Sequence, residues 1–448
     1  MGMTILGLGA AAIALDTAVN VAFPALSLAF GLPVSGIQWI IVPYMLTFGA
    51  LMLISGRLGD RLGHVRVFRT GLFLSGVAFA IGASASSLEI LVAARILQGS
   101  GAAAILSCAP ALATFLYPET RRMQALALFG ASFAIAQAAG PLLGGPVVEL
   151  FGWRGVLALR IPFVLVAFLL AGRLVPSPHA GKPFHTPTAL LLTASIAALL
   201  VAVSSLQWPH AWPLTLAGLL IGTLGAIATG RLQRTTASAF LPAGTLSDPR
   251  LFALNVLNAT ANAAAFSVLM LLPYALVARG LDVMSLGLVL AVSGAAISGA
   301  SLAAPRLERT IGAEVLLAAG LALCIGGLAA LGFWTPEAPI LAGIAALAVQ
   351  GIGLGFFSVA YADSVTGHLP VEDRGLAGGI VTATRTFGIV AGASLFSAIV
   401  RFSGESGAQG AAFALCFHIA AGVLAAASIL MLAWYWVSQK SKRAEEAP

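Results

Sequence analysis

The run GRLGDRLGHVR, Gly56 to Arg66, decides how this chain is read. It sets three arginines, an aspartate, a histidine and three glycines between two stretches that are almost wholly apolar. A turn of this kind belongs at a membrane surface, where Gly56 and Gly63 permit a tight reversal and Asp60 can meet arginine or the positive end of a neighbouring helix. A plain basic loop accounts for Arg57, Arg61 and Arg66, but not for Asp60 or the glycine spacing.

The surrounding composition agrees. Of 448 residues, 59% are hydrophobic, 9% are charged and 50 are glycine, with a mean hydropathy of +1.00, which excludes a soluble globular chain. Apolar segments of 18 or more residues recur along it, about fourteen in all, each long enough to cross a core of about 30 Å as a helix. The expected fold is therefore an all-α polytopic membrane protein. If the N-terminus is cytoplasmic, 17 of the 23 Lys and Arg fall in inner loops and the tail, and only Arg154, Arg279 and Arg401 fall outside. That asymmetry places both termini in the cytoplasm and the chain in the cell (inner) membrane. The net charge of +7 reports this topology and not nucleic-acid binding. Cys108, Cys324 and Cys416 lie inside spans, too scattered for a disulfide framework or a metal site. No HExxH, GxSxG or Walker loop is present, so neither an enzyme nor a cofactor or metal is expected.

The chain repeats itself. GRLGDRLG at Gly56–Gly63 lines up with PRLERTIG at Pro305–Gly312, and Gln98-Gly99-x-Gly101 with Gln350-Gly351-x-Gly353. A third pair, Pro118 to Arg121 and Pro370 to Arg374, follows in the same order, which argues for two homologous halves. The expected layout is a six-span bundle at 1–175, a linker at 176–250 carrying two extra spans, a second six-span bundle at 251–437 and a tail at 438–448.

Charges inside the membrane are the strongest functional pointers, because each costs about 2.5 to 3.5 kcal/mol at a helix centre. At 1.5 Å per residue, Asp16 lies roughly 20 Å from the inner edge of span 1, and Arg95 and Arg160 lie roughly 10 Å from the outer edges of spans 4 and 6. In a core of about 30 Å the three share one depth. A buried polar cluster is expected, with Asp16 as the group that gains and loses a proton. Arginine pairing and apolar burial act on its protonation in opposite senses, and a purely structural ion pair is the alternative. In the second half, Arg385 sits near mid-membrane and is a candidate substrate or coupling residue of the cavity. Asn255, Asn258 and Asn262 form a helical stripe that either faces a substrate cavity, with Asn20 and Gln98, or bonds between helices.

Three motifs in order, spanning nearly the whole chain, carry a resemblance. The loop reads G-x-L-x-D-R-x-G through Gly56, Leu58, Asp60, Arg61 and Gly63; span 4 reads R-x-x-Q-G through Arg95, Gln98 and Gly99; span 5 reads G-P-x-x-G-G through Gly140, Pro141, Gly144 and Gly145. In these the sequence resembles the major facilitator superfamily and, within it, the fourteen-span drug:proton antiporter branch. Span 1 is similar to that branch's L-D-x-T-x-x-N-V-A-x-P through Leu15, Asp16, Asn20, Val21, Ala22 and Pro24, one residue short between Asp16 and Asn20. Arg160 stands where the branch has Asn. The resemblance implies that Asp60 ties to span 13 near Arg374 as a conformational lock, that the small face of span 5 packs on span 10 at Gly294 and Ser298, and that Arg95 takes part in proton coupling. Arg309 replaces Asp60 in the second repeat, so one such lock is expected. The function implied is proton-coupled export of small hydrophobic or amphipathic compounds by a monomeric carrier whose partners are substrate, protons and the lipid bilayer. A facilitator or symporter of an anionic metabolite is the rival, favoured by Arg95, Arg160 and Arg385.

Overall fold

The computed structural model describes residues 1–116, 122–174, 186–205, 210–235, 248–335, 337–368, 374–404 and 409–445. The first transmembrane path is segmented into helices α1 (Gly2–Ala14), α2 (Ala18–Val21) and α3 (Phe23–Phe30), with a 3-10 turn at Leu15–Thr17 between the first two. Then come α4 (Gln38–Leu62), α5 (His64–Ala83), α6 (Leu88–Phe115), α7 (Arg122–Ala158) and α8 (Ile161–Ala171). The sequence insert forms α9 (Thr186–Ser205) and α10 (Trp212–Thr235). The remainder is α11 (Pro249–Ala278), α12 (Val283–Ile311), α13 (Ala313–Gly332), α14 (Ile340–His368), α15 (Arg374–Gly404) and α16 (Gln409–Glu445).

Among the described residues, twelve helical stretches are long and apolar enough to cross a membrane. The sequence pattern suggests about fourteen. The difference has two sources: Leu128–Ala171 is one apolar run containing a break at Gly152, and Leu190–Ser205 of α9 is apolar but shorter. Gly152 has φ +66°, a left-handed conformation that costs glycine little and so lets the chain turn sharply inside α7.

The helices group into two units, Met1–Phe240 with Pro273–Gly294, and Leu241–Leu272 with Ala295–Pro448. In the first, α1 is clamped where Gly9 meets Phe68 and Leu72 of α5, and Ile5, Leu6, Phe68, Leu72, Phe79 and Ile105 form a fully buried core. The insert belongs to this unit, α9 packing on α10 and on α4. In the second unit α13 packs on α14 and α16.

The internal repeat is visible in backbone detail. Gly63 (φ +93°) and Gly312 (φ +86°) hold the same positive-φ turn between α4 and α5 and between α12 and α13. In both, the glycine N–H closes the preceding helix by donating four residues back, to the carbonyls of Gly59 and Glu308. Eight residues on, a Cβ at Gly71 would lie 2.8 Å from the Gly101 carbonyl oxygen, and one at Gly320 2.8 Å from that of Gly353. Each pair of helices approaches at the same glycine contact, which no larger residue permits.

Candidate functional site

Asp16 sits in the 3-10 turn, where tightening of the winding interrupts an otherwise apolar path. Its carboxylate is the centre of a buried cluster. Arg95 of α6 donates to it twice, Nη1 to Oδ1 at 2.6 Å and Nη2 to Oδ2 at 3.1 Å. Arg160, at the N-cap of α8, donates from Nη1 to Oδ1 at 2.6 Å, and Gln98 Nε2 donates to the same oxygen at 3.0 Å. Arg95 is further fixed by Nε to the Ile40 carbonyl at 2.8 Å and Nη1 to Gln98 Oε1 at 2.8 Å. The aromatic faces of Tyr44 and Phe79 cover the guanidinium planes of Arg95 (4.7 Å) and Arg160 (4.3 Å). Arg95 is 2% exposed and Arg160 0%, so neither charge is screened by bulk water.

The depth count therefore brings Asp16, Arg95 and Arg160 together as expected, and Gln98 joins the carboxylate itself. The aromatic covers Tyr44 and Phe79 and the Ile40 carbonyl are not legible in sequence; the one available signal is that Tyr44 is a polar-tipped aromatic in an apolar span. Asn20 is buried on α2 but takes no part in these bonds. A small apolar cavity of about 10 Å³ lies beside the cluster, lined by Arg95, Trp153, Val156, Leu157, Val19 and Leu26 among others.

The span 5 motif packs on two neighbours. A Cβ at Gly140 would meet Thr17 Oγ1 and lie 3.0 Å from the Ala18 nitrogen, and one at Gly144 would lie 3.0 Å from the Ala18 carbonyl oxygen. This face rests on span 1, beside Asp16, where the resemblance suggested span 10. Span 10 is met by the adjacent face: a Cβ at Gly145 would lie 3.1 Å from the Val283 carbonyl oxygen, one at Gly287 2.6 Å from that of Pro141, and one at Gly294 3.0 Å from Ala138 Cα. Gly140 and Gly145 differ by five positions on a 3.6-residue helix, which turns them to different neighbours. Thr17, which donates to the Gln137 carbonyl at 2.8 Å, pins the turn to α7. Its role is missed by sequence reading.

At the loop, Asp60 faces Arg57 (3.6 Å) and His64 (3.2 Å), and its side chain is 44% exposed. Gly56, Arg61 and Arg66 flank it on α4 and α5. The side chain of Arg374, the expected partner, lies outside the described residues, as do residues 117–121 and 175–185 with their basic side chains.

In the second unit the asparagine stripe bonds between helices. Asn262 Nδ2 donates to Asn258 Oδ1 at 2.9 Å; Asn258 Nδ2 donates to Thr384 Oγ1 at 2.7 Å and to the Val381 carbonyl at 3.2 Å. The Tyr361 hydroxyl donates to Asn255 Oδ1 at 2.8 Å and lies 3.1 Å from Thr384 Oγ1. α11, α14 and α15 are thus joined through Thr384 and Tyr361, while the neighbouring Arg385 is exposed. Asn258→Ala is expected to lower stability by about 1 kcal/mol, because it removes the side-chain bonds that tie α11 to Thr384 and the Val381 carbonyl of α15, while Asn262 keeps the Asn258 backbone carbonyl and Thr384 keeps Tyr361. Thermal unfolding of the purified protein measures this; an unchanged midpoint means the network carries no stability.

Comparison with known proteins places the chain. A model described as Major Facilitator Superfamily matches residues 5–346 and 251–447. The cephamycin export protein CmcT of Amycolatopsis lactamdurans is 33% identical, over 88% of this chain and 83% of that protein. The riboflavin transporter RibZ of Clostridioides difficile is 26% identical, over 85% and 83%. Among solved structures, the POT family transporter PepTSo shares the fold with a TM-score of 0.73 at 14% identity, covering 98% of each chain.

Proposed function

The chain belongs to the major facilitator superfamily, and from that premise we propose that it exports small hydrophobic or amphipathic compounds in exchange for protons, by alternating access. One observation carries the proposal: a single carboxylate, Asp16, is held by two buried arginines and Gln98 at a break in span 1. Such a group changes partners when it takes up a proton, and the segment that carries it rearranges with it. The export direction is supported by the name of the cephamycin export relative and by the packing of the span 5 motif. With the two legs around Gly152 counted separately and α9 added, the span count is fourteen, in a layout of two six-span bundles and a two-span linker. Both termini are cytoplasmic and the carrier works as a monomer in the inner membrane.

The test is a compound screen in everted vesicles with a pH readout. Compound-driven proton movement that depends on this chain supports the proposal; compound movement without protons sinks it. A second reading, a facilitator or symporter of a small anionic metabolite, is favoured by the two buried arginines, Arg95 and Arg160, set against the one carboxylate of Asp16, and the same screen separates it by the absence of compound-driven proton release.

Asp60 is proposed to act as the single cytoplasmic lock. Its bonds in the loop are partly exposed pairs worth about 0–1 kcal/mol, weak enough to be exchanged for another partner during the cycle. Asp60→Asn is expected to slow transport about tenfold, roughly 1.4 kcal/mol in barrier, with compound affinity unchanged. A rate equal to that of the native chain reduces the loop to topology.

A further inference from the structure

The buried cluster has two guanidinium groups and one carboxylate, and the two arginines are not used alike. In Arg95 all three nitrogens are engaged, by Asp16, Gln98 and the Ile40 carbonyl. In Arg160 only Nη1 is engaged, by Asp16; Nε and Nη2 are buried and have no hydrogen-bond partner within the described protein. Asp16 is the one acidic residue that pairs with either arginine among the described residues. The Phe79 ring covers the guanidinium plane and leaves its Nε–Nη2 edge open, since an aromatic face offers no lone pair in that plane. Arg160 also caps the start of α8, an eleven-residue helix whose N-terminal dipole adds positive potential.

We propose that the Nε–Nη2 edge of Arg160 is the subsite for a carboxylate carried by the transported compound. The proposal rests on the transport reading above and narrows its substrate class. These two N–H groups point the same way and form the fork that donates to both oxygens of a carboxylate. A neutral acceptor satisfies the N–H groups but leaves the charge of the cluster uncompensated in an apolar setting; an anion satisfies both. Val156 and Leu157, one turn before Arg160, line with Trp153, Leu26 and Arg95 the small apolar cavity beside the cluster, and the apolar body of the compound is assigned to that wall, which Arg160 itself does not line. In the state described, the space there is about 10 Å³, that of one water molecule, so the body enters when the unit opens.

The test uses three probes with one body and three charges: 1-naphthylacetate, 1-naphthylacetamide and 1-naphthylethylamine. Each is measured by equilibrium dialysis against the full chain in zwitterionic nanodiscs, with empty nanodiscs as the blank. The native chain is expected to bind the carboxylate at least about tenfold more tightly than the amide or the amine, the size expected of a charge-assisted fork. Arg160→Gln is expected to remove that preference, read as the ratio of carboxylate to amide binding within the variant itself, and Arg160→Lys to keep part of it. Equal binding of the three probes, preference for the amine, or no binding at all overturns the proposal on the native chain alone. A preference that survives Arg160→Gln overturns it as well. A carboxylate preference in a chain that moves no protons leaves the subsite standing and removes antiport; proton-coupled export of the amide without that preference does the reverse.

Discussion

Asp16→Asn is expected to abolish compound-driven proton movement in everted vesicles while the protein is still inserted. The size of the effect follows from the bonds. Oδ1 accepts from Arg95, Gln98 and Arg160, and Oδ2 from Arg95, so this one side chain organises every charged member of the cluster. Oδ2 accepts a single bond among the described residues and is the oxygen with a lone pair open to a proton. An amide neither takes up that proton nor balances two guanidinium groups, and breaking a buried pair by removing one partner costs about 3–5 kcal/mol. Stability and coupling therefore fall together in the single variant, and a second substitution separates them. Asp16→Asn with Arg160→Gln removes one charge of each sign, and its thermal midpoint is expected to recover while coupling does not. Coupled transport retained in Asp16→Asn removes the proton-carrying role and leaves a structural ion pair.

Gly140→Ala is expected to be the most damaging single-methyl change in span 5. The added carbon meets Thr17 Oγ1 and lies 3.0 Å from the backbone nitrogen of Ala18, so the turn that carries Asp16 must shift. Overpacking of this kind costs about 1–3 kcal/mol, and the displacement falls on the neighbour of Asp16, the proposed proton carrier. Transport is expected to drop about tenfold, the rate equivalent of roughly 1.4 kcal/mol. Two controls fix the cause. Gly130→Ala, on the same helix with open space around it, is expected to leave transport unchanged, and Thr17→Ala in the Gly140→Ala chain is expected to restore part of it. Equal effects of Gly130→Ala and Gly140→Ala attribute the loss to helix propensity and not to contact.

What the sequence made legible is what depends on counting along one helix. The charged loop at Gly56–Arg66, its repeat at Pro305–Gly312 and the common depth of Asp16, Arg95 and Arg160 all follow from spacing and the cost of buried charge. What depends on which face meets which neighbour was not legible. Gly140 and Gly144 meet span 1 and Gly145 meets span 10, a choice made by the rotation of α7 in its bundle. Asn20 was located by counting 3.6 residues per turn, whereas Leu15–Thr17 winds more tightly at about 3.0. The asparagine stripe offered cavity or helix contact equally, and its partners Thr384 and Tyr361 are two ordinary residues of apolar helices.

The segmented first span has a mechanical consequence. Its first leg is held at Gly9 by Phe68 and Leu72, and its last leg, α3, is held where the Ser27 and Tyr274 hydroxyls meet at 2.6 Å, just after Pro273. Between the two anchored ends lie two interruptions, the 3-10 turn at Leu15–Thr17 and the break at Ala22, and the first bears the carboxylate. With Asp16 as the proposed proton carrier, relative movement of the anchors is taken up at these interruptions, and release of the arginines at Asp16 is expected to free the first of them. On that proposal the span acts as a lever with its charge near the fulcrum, and proton occupancy is expected to bias the distant Tyr274 contact.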